Sequence, residues 1–266
     1  MTFTASVSKF LVLASCLFLS RAAPAEKDLG KRATLATIYS TCKHANTVAL
    51  TFDDGPYMFE SGIVDTLNNA GIKATFFVNG DNWDCIYDDP LPTYLKKAYN
   101  SGHMIGDHTW HHYDLSTLTW DQIHDEMWRV ELAMMKILGA SPAFMRPPYG
   151  SYNDLVRQAS AVRNQSMVLW DFDSGDSTGS TVAQSEQAYT NLINQKPSTV
   201  IALNHETYQG TAQQVLPFAI QHLKAAGYKF DTIAGCLGMN PYHSFNTPST
   251  RDLDVLNVPR MDLSWT

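Results

Sequence analysis

Beyond Thr41 the chain alternates short apolar runs with longer amphipathic stretches. The runs at 47–52, 74–78, 104–107, 144–146, 167–172, 199–203 and 230–233 have the length and the β-branched or aromatic content of strands. Helical spacing of apolar positions predicts helices over 59–70, 91–100, 120–138, 153–162, 182–195 and 212–226. The third of these has the sharpest bounds, with Thr119 and Gln122 in capping-box positions and Gly139 as its stop. Strands interleaved with helices indicate parallel β/α units around one sheet, and seven such strands indicate an incomplete barrel. A doubly wound open sheet is the alternative, but no G-x-G-x-x-G follows the first strand. Residues 37–240 read as one domain, and 241–266, rich in Pro, Asn and Ser, as a tail lying on it or partly disordered.

The N-terminus does not belong to that core. A basic Lys9, an apolar run over 10–19 and small residues around Ala22 and Ala23 give residues 1–23 the layout of a secretory signal peptide. The run is too short to span a bilayer. Residues 24–36 are polar at first and carry the dibasic pair Lys31-Arg32, so they read as a short propeptide or a linker. Secretion changes the cysteine count: Cys16 leaves with the signal, and Cys42, Cys85 and Cys236 remain. Cys42 and Cys236 flank the folded region and are expected to pair in an oxidising compartment, leaving Cys85 as a thiol. Asn164-Gln-Ser166 is a glycosylation sequon and is expected at the surface.

Net charge is −7 and the N-terminal segments are slightly basic, so the processed chain is more acidic still. That argues against a nucleic-acid backbone or an anionic membrane as partner. An uncharged or cationic partner fits better, and nothing in the pattern asks for more than a monomer.

The polar exceptions in this apolar scaffold gather at the C-terminal ends of the predicted strands. Asp53 and Asp54 end the first, His108 the third, Arg146 the fourth, Asp173 and Asp176 follow the fifth, and His205 the sixth. Barrel active sites are assembled at that face. In HTWHH at 108–112, His108 and His112 share a face if the chain turns helically, and could hold a divalent ion with a carboxylate; alone, the spacing also suits surface or core histidines. In TFDDGP at 51–56, strand alternation sends adjacent carboxylates to different tasks, one to an ion and one to its water, unless the segment is only a solvated turn. In RPPYG at 146–150, Arg146 can orient a carboxylate, and the stiff loop sets the Tyr149 backbone N–H as an oxyanion donor. His205 suits proton donation to an amine leaving group, an acidic residue of DFDSGD at 171–176 can orient it, and Leu203 lies on its side of the strand as an acyl-pocket wall.

These segments, in this order, resemble the NodB-type polysaccharide deacetylases, metal-dependent carbohydrate esterases that act on chitin, peptidoglycan or xylan. The resemblance runs from about Thr37 to Ala234. It implies a distorted, incomplete (β/α) barrel of the α/β class, with Asp53 as general base and Asp54, His108 and His112 as ligands to one divalent ion, zinc first, cobalt or another ion otherwise. It implies His205 as general acid supported by an Asp, here Asp176 in preference to Asp173. Arg146 would hold Asp53, and Tyr149 would contact the acetyl oxygen, with Asp53, Tyr149 and Leu203 meeting the substrate. The secretory start and the terminal cysteines are most similar to fungal chitin deacetylases, so the expected reaction is removal of N-acetyl groups from chitin or chito-oligosaccharides. Acetylxylan or peptidoglycan deacetylation is the alternative within that chemistry, and a catalytically silent carbohydrate-binding barrel the alternative outside it. One departure stands out: the family's Asp-x-x-Asp-Trp reads Asp173-Ser-Gly-Asp176-Ser177 here, which removes an aromatic wall of the groove.

Overall fold

A computed structural model describes residues 34–250. The expected signal peptide, residues 24–33 and residues 251–266 lie outside the described residues. The strands in chain order are β1 (Ile38–Tyr39), β2 (Thr47–Gly55), β3 (Thr75–Val78), β4 (Met104–Asp107), β5 (Ala140–Pro142), β6 (Phe144–Met145), β7 (Ser166–Val168), β8 (Phe172–Asp173), β9 (Thr199–His205), β10 (Lys229–Phe230) and β11 (Tyr242–Phe245). The α-helices are α1 (Glu60–Asn69), α2 (Leu91–Asn100), α3 (Trp120–Leu138), α4 (Asp154–Val162), α5 (Val182–Gln195), α6 (Leu216–Ala225) and α7 (Ile233–Leu237). Among the described residues no helix is long and apolar enough to cross a membrane.

The main sheet is parallel throughout and runs β1-β7-β6-β4-β3-β2-β9-β8, with β10 on the first residues of β2. It curls into an incomplete (β/α) barrel. The stretch 166–173 serves both ends of the curl: β7 pairs with β6 and β1, and β8 pairs with β9. The single strand expected at 167–172 is therefore broken, because Leu169 N–H still bonds to Tyr39 on one side while Asp171 N–H already bonds to Ile201 on the other.

Alternation along β2 sorts the core. Val48, Leu50 and Phe52 face the helices, in a cluster with Ile63, Leu67 and Leu95. Ala49 points inward with Phe77, Met104, Phe144, Val168 and Ile201, and α7 adds Ile233, Cys236 and Leu237 to that inner cluster. The two-residue period of a strand and the apolar stripe of a helix produce this division directly. α3 starts where the sequence places it, with Thr119 N–H donating to Gln122 Oε1 at 2.9 Å, and stops at Gly139 with φ 73°.

Two expectations are corrected. The helix expected from residue 212 begins as a π-type turn, Thr211–Val215, before α6 takes over. The strand expected at 230–233 ends at Phe230, since Thr232 caps α7 by accepting the Gly235 N–H at 3.0 Å. The described part of the segment after Pro241 lies on the domain: β11 pairs antiparallel with β5, and Tyr242 Oη accepts the Ile105 N–H at 3.0 Å. Neither short strand carries enough periodicity to be read from sequence.

Cys42 and Cys236 form a disulfide with Cα atoms 5.2 Å apart across a separation of 194 residues, and half-buried Cys85 is not part of it. Closing so long a loop restricts the unfolded chain strongly. Replacing Cys42 and Cys236 by Ser should lower unfolding free energy by about 2–5 kcal/mol, measured by denaturant titration of the double variant against wild type.

Candidate active site

The parallel register brings the C-terminal strand ends to one rim. Asp53 lies directly across from His205 in the β2–β9 ladder, and His108 N–H bonds to Val78 O at the end of β3. They open on a cleft of about 430 Å³ that Asp53, Asp54, His108, His112, Tyr149 and His205 help to line. Leu203, Asp173 and Ser177 lie on the same wall system, while Ile201 stays in the inner core.

The two carboxylates reach this cleft by a route that pleat alternation does not give. After Asp53 the β2–β3 ladder shifts register, and Asp54 takes a left-handed backbone with φ 72°. The bulge turns Asp54 back to the side of Asp53, so that His108 Nε2 is 3.6 Å from an oxygen of each. Likewise, 108–112 is a bent loop and not a helical turn. Thr109 (φ 72°) and His112 (φ 60°) fold it back, and Asn79 Nδ2 holds it by donating to His108 O and Thr109 O at 2.5 and 3.0 Å.

Three ligand atoms converge, one each from Asp54, His108 and His112, all within 4.8 Å of one another. His112 Nε2 stands 3.3 Å from Asp54 Oδ1, an oxygen that is buried and has no hydrogen-bond donor among the described residues. His108 Nδ1 lies 2.7 Å from Arg146 O, which can only accept, so Nδ1 carries the proton and Nε2 presents a lone pair. Burial, then the neighbouring His112, lowers the His108 pKa to about 3, which keeps the ring neutral. These donors fit a divalent cation with open positions on the cleft side. His111 faces away: its Nδ1 pairs with Glu126 Oε1 at 2.6 Å.

Arg146 is fully buried and donates to Asp53 Oδ1 at 2.8 Å and Thr51 Oγ1 at 2.6 Å. Burial raises the Asp53 pKa, and the Arg146 charge opposes part of that rise. Tyr149 has φ 60° and an exposed ring set edge-on to His112, with centroids 4.7 Å apart. Asp176, not Asp173, lies against His205: its Oδ1 is 2.7 Å from Nδ1, and its Oδ2 accepts His205 N–H and Thr211 Oγ1–H, each at 2.8 Å. Asp173 is exposed and accepts Gly175 N–H at 2.7 Å.

Sequence reasoning missed Thr51, Asn79, Trp170 and Tyr208. Trp170 and Tyr208 line the cleft beside Tyr149, so aromatic groups remain even though Ser177 occupies the position of the family's Trp. Tyr208 could have been suspected from its place three residues after His205; Trp170 sits at a strand break that the apolar pattern conceals.

Burial disfavours a charge on His205, but the hydrogen bond and charge of Asp176, with Asp53 and Asp54 behind it, outweigh burial and raise the pKa to about 9. Because this lies above the ordinary 6.5, the His205–Asp176 pair stabilises the fold fully below that value and ceases to do so as pH rises through about 9. Asp176→Asn should move the His205 titration well downward, read from its ring C–H resonances, and abolish that alkaline loss of stability.

Comparison with known proteins agrees with this geometry. The polysaccharide deacetylase family model matches residues 40–168. The chain is 38% identical over 210 residues to a chitin deacetylase of Pestalotiopsis sp, covering 77% of this chain and 68% of that protein. It is 34% identical over 192 residues to a peptidoglycan-N-acetylglucosamine deacetylase of Bacillus cereus, covering 70% and 66%. The solved chitin deacetylase of Colletotrichum lindemuthianum superposes with a TM-score of 0.76 at 29% identity, covering 80% of this chain and 96% of that one. An incomplete barrel, with its polar rim built from these strand ends, and relatives of this extent lead to one conclusion: the chain belongs to the polysaccharide deacetylase family.

Proposed function

We propose that the protein is a secreted, metal-dependent amidohydrolase that removes N-acetyl groups from N-acetylglucosamine polymers, chitin or chito-oligosaccharides. The observation that carries the reading is one cleft shared by a buried carboxylate, Asp53, a buried imidazole bonded to Asp176, His205, and the Asp54–His108–His112 cluster. The Pestalotiopsis and Colletotrichum relatives support chitin, and the Bacillus relative supports peptidoglycan as the second reading. Secretion rests on the signal-like residues 1–23, and the exposed sequon residue Asn164, in the turn after α4, suits glycosylation on that route.

A divalent ion held by Asp54, His108 and His112, zinc or a similar metal, would supply a Lewis acid and make a water molecule acidic enough to lose a proton near neutral pH. Asp53 takes that proton as the water adds to the amide carbonyl, its burial making it a better base than an exposed carboxylate. Arg146 keeps Asp53 oriented and stays charged throughout. The backbone N–H of Tyr149 donates to the developing oxyanion. His205, protonated through Asp176, gives its Nε2 proton to the leaving nitrogen, the C–N bond breaks, and acetate and the free amine depart. Leu203 and the Tyr149 ring flank the methyl group.

The test is acetate release from chitin oligomers, acetylxylan and peptidoglycan, with and without chelator. Chitin oligomers should be the best substrate and chelation should stop the reaction. Asp53→Asn should lower kcat by about 10²–10⁴-fold while leaving metal content unchanged. Asp54→Ala or His108→Ala should instead fail to retain the ion, measured by metal analysis of the purified variants. Activity that survives both chelation and Asp53→Asn would sink the mechanism, and sugar binding without turnover would return the reading to a binding barrel.

A further inference from the structure

The loop 108–112, which carries His108 and His112, is held from two sides. On the strand side Asn79 Nδ2 donates to His108 O and Thr109 O, and Asp107 Oδ1 accepts the Thr109 N–H at 2.8 Å. Trp110 O accepts the N–H groups of Gly80 and Asp81 at 3.1 and 2.8 Å. On the helix side the tie comes from Glu126 of α3. Its Oε2 accepts the His111 main-chain N–H at 2.7 Å, and its Oε1 lies 2.6 Å from His111 Nδ1. Glu126 is 4% exposed and takes no part in the mechanism above.

A carboxylate so enclosed is tolerable only when its oxygens are answered. Here a backbone N–H answers one oxygen and a ring N–H the other, and both are short bonds to a charged acceptor. Since the carboxylate only accepts, His111 Nδ1 carries the proton of the second bond. One carboxyl group therefore fixes the main chain and the ring of the same residue. Tyr113 stacks on that ring, with centroids 5.1 Å apart and planes at 24°. The base of this clamp is firm, because Ile123 and Val130, one turn to either side of Glu126 on α3, are buried in the core.

We propose that Glu126 is a positioning residue for the cation site: by clamping His111 through its main chain and its ring, it keeps the next residue, His112, in the turn that brings Nε2 to Asp54 and His108. His112 has φ 60°, a left-handed backbone that is costly for a residue with a side chain and that a free loop would leave. Its Nε2 is nevertheless 3.3 Å from Asp54 Oδ1, within the cluster of three ligand atoms. The clamp fastens that cluster to the helix layer as well as to the sheet. The inference rests on the assignment of His112 as a metal ligand made above.

Glu126→Ala removes both bonds, and His111→Ala removes the ring bond alone. Glu126→Gln keeps the shape and an oxygen for the His111 N–H; its amide N–H faces Nδ1, which accepts once the ring proton moves to Nε2. Calorimetric titration with Zn²⁺ after chelator treatment should show Glu126→Ala binding the ion about 10–100-fold more weakly than wild type. His111→Ala should fall between the two, and Glu126→Gln should recover most of the loss. With Co²⁺ in place of Zn²⁺, the visible absorption bands should shift in Glu126→Ala and stay in place in Glu126→Gln. A further measurement needs neither metal nor substrate. Amide hydrogen exchange in the metal-free protein should quicken at 109–113 in Glu126→Ala and keep wild-type rates in β2 and β4. Equal Zn²⁺ affinity in Glu126→Ala and wild type would overturn the positioning role. So would exchange that quickens equally in β2 and β4, the mark of a general loss of stability. If Glu126→Ala does not fold, His111→Ala carries the same comparison, and wild-type affinity there together with wild-type exchange at 109–113 would overturn the role. Failure of the deacetylase reading alone would leave the Zn²⁺ and exchange differences in place, whereas a wild type that binds no ion would remove the ligand assignment itself.

Discussion

The structure depends on one buried cation. The Arg146 guanidinium is fully enclosed, 4.4 Å from the centroid of the Phe77 ring, and it donates to Asp53, Thr51, Val168 O and Leu169 O. A charge so placed is tolerable only when it is completely partnered, and removing one partner typically costs about 3–5 kcal/mol. Its contacts therefore act as a set: they join β2, which carries the carboxylates, to the end of β7, where the barrel strand breaks. The main chain of the same residue receives His108 Nδ1, so Arg146 fixes the orientation of Asp53 with its side chain and the tautomer of His108 with its carbonyl.

Around that cation the rim sorts like residues into unlike states. His108 is enclosed beside another imidazole and is held neutral, with a pKa lowered to about 3, while His205 meets Asp176 and is raised to about 9. One imidazole offers a lone pair and the other a proton, although both stand at strand ends and both are buried. Environments that push identical groups apart let a single site hold the same side chain in two protonation states.

Most of the fold was legible because its signals are local. The bounds of α2, α3, α5 and β4 follow from apolar spacing and caps, and they fall where the pattern puts them. The candidate site was legible as a set of residues, since polar side chains at strand ends are conspicuous in an apolar pattern. Its geometry was not. Alternation gave a wrong account of Asp53 and Asp54, because the bulge and the positive φ of Asp54 depend on what packs beneath the turn. Helical spacing gave a wrong account of His108 and His112, because Asn79, from another strand end, shapes that loop. The strand β11 and the break at Trp170 depend on tertiary contacts between distant segments, which no local window contains.

The barrel is incomplete, and an incomplete barrel has edges. Here the two ends of the sheet are β1 and β8, each only two residues long; β1 pairs with β7 and β8 with β9. A strand of that length exposes too few free N–H and C=O groups to recruit another chain. The break at Trp170, which looks like a defect in the strand, thus shortens both edges of the main sheet at once: the curl stays open at the cleft while each edge strand of that sheet is only two residues long.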